Sequence, residues 1–199
     1  MFKIICVTNR LLCKEDFLTR IEKLCMAGVD TVILREKDLT PEEYTALAES
    51  VLPICKKYNV KCYLHYFVES AIALNVHSIH LPLGIFRALP EWKKRAFETV
   101  GVSCHSVEDA VEADRMGATY LMAGHVFETD CKRDLPPRGL EFLHEVCEET
   151  YVPVYAIGGI TPENIQEVKK AGAIGACIMS SAMTCEDPKD YIRRLKGIQ

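Results

Sequence analysis

The sequence predicts an α/β protein, a single (β/α)8 barrel of the TIM type spanning residues 1–199. Three observations lead there. Short β-branched runs alternate with amphipathic helical stretches eight times from one end to the other. The runs are apolar throughout, as parallel strands buried on both faces must be, and right-handed crossovers place the helices outside them. No linker or Pro/Gly/Ser-rich stretch divides the 199 residues, a length that one core can hold. An open doubly wound sheet is the alternative, but no Gly-x-Gly-x-x-Gly follows the first strand to support a dinucleotide site.

In chain order, the first strand-like run is Lys3–Thr8, and Phe17, Ile21, Leu24 and Cys25 then give the first helix a buried face that Gly28 ends. Thr31–Arg35 is the second strand. The helix after it is the clearest, with Tyr44, Leu47, Ala48, Val51, Leu52 and Cys55 at helical spacing. Thr40 caps its first turn, Pro41 suits the first position, and Glu43 stands where a capping box needs a carboxylate. Further strands follow at Lys61–His65, Ser78–Leu81, Thr99–Ser103, Tyr120–Gly124, Val154–Ile157 and Gly175–Met179. Thr161-Pro162 and Asp187-Pro188 open later helices in the same way as Thr40-Pro41.

In barrels of this kind function sits at the C-terminal ends of the strands. Polar residues recur there: Arg35 and Lys37, His65, Ser103 and His105, and His125. They are expected to converge on one mouth. Gly158 and Gly159 after the seventh strand, with Met179 and Ser180 after the eighth, form a second signal. Glycine lets the backbone approach an anion, and free N–H groups at a loop or helix start donate to phosphate. A third signal is the long polar loop from Gly124 to Gly139, which includes Thr129 and Lys132 and can serve as a lid or binding loop.

Composition narrows the function class. The formal net charge is −4 and no basic stripe is present, which argues against nucleic acid. No apolar run approaches the roughly 18 residues of a membrane span. The N-terminus lacks the pattern of a signal peptide, so a cytoplasmic protein is expected. The ten cysteines include no Cys-x-x-Cys pair and mostly fall in apolar segments, a pattern that favours packing over disulfides or zinc.

Together, Ile33-Leu34-Arg35-Glu36-Lys37, Gly101-Val102-Ser103-Cys104-His105-Ser106, the Gly124–Lys132 loop and Ile157-Gly158-Gly159-Ile160 resemble the thiamine phosphate synthase superfamily over nearly the whole chain. That resemblance implies a (β/α)8 barrel. Synthase members join a thiazole phosphate to a pyrimidine pyrophosphate with magnesium, and the TenI-like branch includes thiazole tautomerases. Where the synthase pattern has Asn-Asp after the third strand, this chain has His65-Tyr66, and the His-x-Gly-Gln-x-Asp motif becomes His80-Leu81-Pro82-Leu83-Gly84-Ile85. Ile33 stands in place of a pyrimidine-contacting Gln.

Gly124-His125 replaces the usual synthase Gly-Pro, and the loop it opens resembles that of the TenI-like branch. The expectation is therefore a thiazole tautomerase of thiamine biosynthesis, with His125 moving the proton as a histidine near neutral pH can. Arg35, Lys37, Ser103, Thr129, Lys132, Gly158, Gly159, Met179 and Ser180 are expected to bind a thiazole phosphate. His65 and His105 stand as second candidates, and no metal or other cofactor is expected. A regulatory barrel that binds a thiamine-pathway phosphate is one alternative, and a thiamine phosphate synthase is another. A homodimer is the assembly the family resemblance suggests.

Overall fold

The computed structural model describes residues 2–129, 133 and 135–197. Its centre is a closed barrel of eight strands in chain order, with every neighbouring pair parallel and β8 closing on β1. The strands are β1 (Lys3–Val7), β2 (Thr31–Leu34), β3 (Lys61–His65), β4 (Ser78–Pro82), β5 (Thr99–Cys104), β6 (Tyr120–Gly124), β7 (Val154–Ile157) and β8 (Gly175–Ile178). Each lies within one residue of the segment expected from sequence. Among the described residues the helices are α1 (Phe17–Met26), α2 (Pro41–Lys57), α3 (Val68–Ala73), α4 (Leu83–Ala88) and α5 (Glu91–Lys94), then α6 (Val107–Arg115), α7 (Gly139–Glu149), α8 (Ile165–Lys170), α9 (Ser180–Thr184) and α10 (Pro188–Lys196). No helix among them is long and apolar enough to cross a membrane.

The helix signals act largely as their chemistry requires. Thr40 Oγ1 accepts the Glu43 N–H and Glu43 returns a bond to the Thr40 N–H, closing the capping box of α2. Asp187 accepts the Asp190 N–H and starts α10. Gly28 ends α1 with a positive φ of 85°. The Thr161-Pro162 signal opens a turn, its Thr161 carbonyl accepting from Asn164 and Ile165, and α8 proper begins only at Ile165.

Two cores result. The larger lies between the sheet and the helices, where Ile4, Cys6, Val32, Leu34, Leu64 and Leu121 meet Ile21, Leu24, Tyr44, Ala48 and Leu143. The smaller fills the barrel with Ile5, Val7, Ile33, Met122 and Cys177, backed by Tyr63 and Tyr155. The two-residue period of a strand alternates these faces. The same period carries Ile33 to Arg35, Tyr63 to His65, Gly101 to Ser103, and Cys177 to Met179 at the mouth.

Space inside the barrel is shared between large and small residues. Tyr120 lies within 5.9 Å of Tyr63 and 5.4 Å of Tyr155, measured between ring centroids. A Cβ on Gly101 would fall inside the Tyr120 ring, and one on Gly175 would strike Tyr155 and the Lys3 carbonyl. Gly101→Ala should therefore cost about 1–3 kcal/mol by overpacking. Gly84→Ala, which meets nothing within 4 Å inside α4, should be neutral or slightly stabilising. Urea denaturation of the two variants checks this, and equal stabilities would refute the packing argument.

Candidate active site

The strand ends surround a cavity of about 1020 Å³ at the C-terminal face of the barrel. Arg35, Lys37, His65, Ser103, His105, His125, Thr129, Gly158, Gly159, Met179 and Ser180 all line it. Lys132, the remaining predicted residue, lies outside the described residues. His80, Glu128, Thr161 and Ser181, which were not among the candidate site residues read from the sequence, line the same mouth. His80 is a polar residue at an inward phase of an otherwise apolar strand, a feature that reads as packing until its partner Tyr120 is known.

His80 is the polar centre of the mouth. Its Nδ1 stands 2.9 Å from the Tyr120 hydroxyl and its Nε2 2.8 Å from Ser103 Oγ. A neutral imidazole donates through one nitrogen and accepts through the other, so the two hydroxyls are coupled through the ring. His65 stacks beside it, with ring centroids 5.8 Å apart, and the His65 Nδ1 is buried without a hydrogen-bond partner. Burial holds His80 down from its ordinary 6.5 to about 3, assisted by the charge of Lys37. Burial also pushes His65 well below its usual range, followed by the effects of His80, Lys37 and Arg35.

The cations are placed by a buried carboxylate. Glu36 accepts the Thr8 hydroxyl at 2.6 Å, the Arg10 backbone N–H at 3.0 Å and the Arg10 guanidinium at 3.2 Å. Thr8 Oγ1 in turn accepts the Arg35 backbone N–H at 2.9 Å. Glu36 is thus turned away from the mouth, while Arg35 and Lys37 face it with no ion-pair partner among the described residues. Desolvation and the neighbouring Arg35 charge hold Lys37 below its ordinary value.

On the other side, His125 is only 5% exposed and its Nε2–H donates to the Leu135 carbonyl at 3.2 Å. The His105 Nδ1–H donates to the Gly124 carbonyl at 2.7 Å. Gly158 and Gly159 have φ of 102° and 65°. A Cβ at Gly158 would strike His125, and one at Gly159 would strike the Glu128 carbonyl and Phe127. Their lack of side chains therefore lets β7 pack under the loop after β6. Among the described residues the N–H groups of Gly158 and Gly159 have no internal acceptor, and α9 begins without a side-chain cap.

The family model described as thiamine monophosphate synthase matches residues 4–182. The chain belongs to this family. The thiamine-phosphate synthase of Clostridium tetani is 33% identical over 197 residues, covering 96% of this chain and 92% of the relative. That of Syntrophomonas wolfei is 35% identical over 199 residues, covering 96% and 93%. The solved structure of thiamine phosphate pyrophosphorylase from Pyrococcus furiosus superposes with a TM-score of 0.87 at 28% identity, over 99% of this chain and 95% of that one.

Membership in the thiamine monophosphate synthase family places the chain among enzymes of thiamine biosynthesis and corrects the tautomerase assignment. Relatives at this identity over nearly the full length are synthases by name. The assignment rested on His125 together with the absence of the synthase carboxylates at Tyr66 and Ile85, and neither feature outweighs the full-length similarity to synthases. Here its Nε2–H is bonded within its own loop and its backbone backs onto Gly158.

A depressed histidine pKa makes folding pH-dependent. His80 binds a proton in the unfolded chain below about pH 6.5 but not in the folded one until about pH 3. Its stabilising contribution is thus full above 6.5 and is lost as the pH falls through that window. Between pH 7 and 5.5 the wild type should lose about 1 kcal/mol more stability than His80→Gln. Denaturant midpoints at the two pH values measure it, and parallel losses would show that His80 is not held neutral.

Proposed function

We propose that the chain is a transferase of the thiamine-phosphate synthase type, joining a phosphorylated thiazole to a pyrimidine pyrophosphate and releasing pyrophosphate. The observation that carries this reading is that one mouth gathers two sets of groups whose chemistry suits anions. Gly158, Gly159 and the uncapped start of α9 present N–H groups beyond β7 and β8, and Arg35 and Lys37 present cations beyond β2. A cavity of about 1020 Å³ is at the upper end of small-molecule sites and has room for two phosphorylated partners. The names of the relatives support the same reading.

The synthases of the resembled pattern use magnesium, which wants oxygen ligands. At the positions of their carboxylates stand Tyr66 and Ile85, and the described residues offer no cluster of three His, Cys, Asp or Glu able to hold a metal. The donor set present does not fit magnesium, and the roles below need none.

In the transferase, negative charge grows on the departing pyrophosphate, where fixed cations in a partly dry site are worth most. Arg35 and Lys37 supply them. Ser103, held by His80, directs its hydroxyl into the same mouth and orients the pyrimidine-bearing substrate. The Gly158–Gly159 and Met179–Ser180 backbone receives the thiazole phosphate, and holding both partners together removes the entropic cost of their encounter. His125 and Thr129 shape the wall beside that phosphate.

Incubation with the thiazole phosphate and pyrimidine pyrophosphate should yield many equivalents of thiamine phosphate, with one pyrophosphate released for each. Ser103→Ala should lower turnover about tenfold or more, since it removes a preorganised donor. Binding of both substrates without turnover above the uncatalysed rate would sink the transferase reading.

A further inference from the structure

We propose that the Arg35–Lys37 side of the mouth binds a pyrophosphate group on protein cations alone, with no divalent ion between ligand and protein. This rests on the transferase reading for the identity of the ligand. It is argued separately, from charge and donor chemistry.

The first observation is the charge balance of this side. Arg35 and Lys37 both face the cavity without an ion-pair partner among the described residues. Two uncompensated positive charges at one rim favour a ligand with at least two negative charges, and they repel a metal dication. The adjacent carboxylate cannot serve as a metal ligand, because Glu36 is occupied by Thr8 and by Arg10. Asp38 is likewise engaged, in a two-point pair with the Arg10 guanidinium at 2.8 and 2.7 Å.

The second observation is what lies beneath the cations. The floor consists of His65, His80 and Ser103, a set of neutral nitrogen and hydroxyl groups rather than an oxygen cage. Both His80 nitrogens are taken, by Tyr120 and Ser103. The His65 Nδ1 is buried without a hydrogen-bond partner. Tyr66, where a carboxylate would project in the synthase pattern, stacks on His65 at 6.4 Å and takes the Lys37 ammonium over its ring at 5.9 Å. The place of a metal carboxylate is thus filled by an aromatic face that steadies a cation. Among the described residues Glu128 is the one carboxylate lining the cavity, where the synthase pattern supplies a pair after the third and fourth strands.

The test is calorimetric titration of the whole chain with inorganic pyrophosphate, once in excess magnesium and once in EDTA. Binding should be present in EDTA, and magnesium should leave it unchanged or weaken it, because metal and protein cations compete for the same oxygens. Arg35→Gln and Lys37→Gln, with folding checked by circular dichroism, should each weaken binding by about tenfold, the size of a partly desolvated charge-assisted contact. Tightening by magnesium in the wild type, no binding in either buffer, or unchanged affinity in both variants would overturn the inference. Metal-independent pyrophosphate binding by a chain that does not form thiamine phosphate would sink only the transferase reading. Turnover together with magnesium-tightened binding would sink only this inference.

Discussion

A hydroxyl buried inside an apolar barrel must be satisfied, and the partner that the Tyr120 phenol finds there, His80 Nδ1 at 2.9 Å, links the packing of the molecule to its chemistry. Tyr120 can occupy that place because Gly101 on the neighbouring strand leaves it empty. The bond fixes the rotation of the His80 ring, whose other nitrogen then meets Ser103 at the mouth. Burial of the pair keeps the imidazole neutral. A change made at the floor of the barrel is therefore felt one hydrogen bond away, at the Ser103 hydroxyl on the cavity wall.

A second tether performs the corresponding task for the cations. A carboxylate between Arg35 and Lys37 in sequence would be expected to neutralise them, yet Glu36 is drawn the other way by Thr8 and Arg10. The two-residue period explains it. Arg35 continues the inward phase of Ile33, so Glu36 must point outward, into the gap between β2 and the turn that follows β1. The alternation that separates the two cores also separates the charges. It leaves the cations facing the cavity and gives the carboxylate to the scaffold.

The strands were legible because a parallel barrel strand is apolar on both faces and flanked by helical periodicity, a local signal. The mouth residues Arg35, Ser103 and His105 were legible for a related reason, since strand phase and the rule for barrel faces suffice to place them. His80 was not, because its meaning depends on Tyr120 forty positions away, and a buried histidine in a strand reads equally well as packing. Gly158 and Gly159 were found for a partial reason. Their missing Cβ atoms clear the loop after β6, a contact between elements that no sequence spacing reports. His125 was the costliest case. Its identity in the motif is local, whereas its bond to Leu135 is not.

Among the differences between this mouth and the synthase pattern it resembles, the two that remove carboxylates are Tyr66, just after β3, and Ile85, in the helix that follows β4. Such a substitution is tolerable in this architecture because each loop hangs from its own strand, and the barrel beneath is closed by main-chain pairing that no loop supplies. What changes is the electrostatics. Removing carboxylates from a rim that keeps two cations raises its positive potential, so anionic ligands are drawn more strongly and a metal dication less. Neutral His65 and His80 keep that potential from rising further, because protonating either would place a third charge in a poorly solvated floor. The depressed histidines and the cations without an ion-pair partner among the described residues are two sides of one balance, in which the positive charge of the mouth is carried by Arg35 and Lys37 and kept off the imidazoles beneath them.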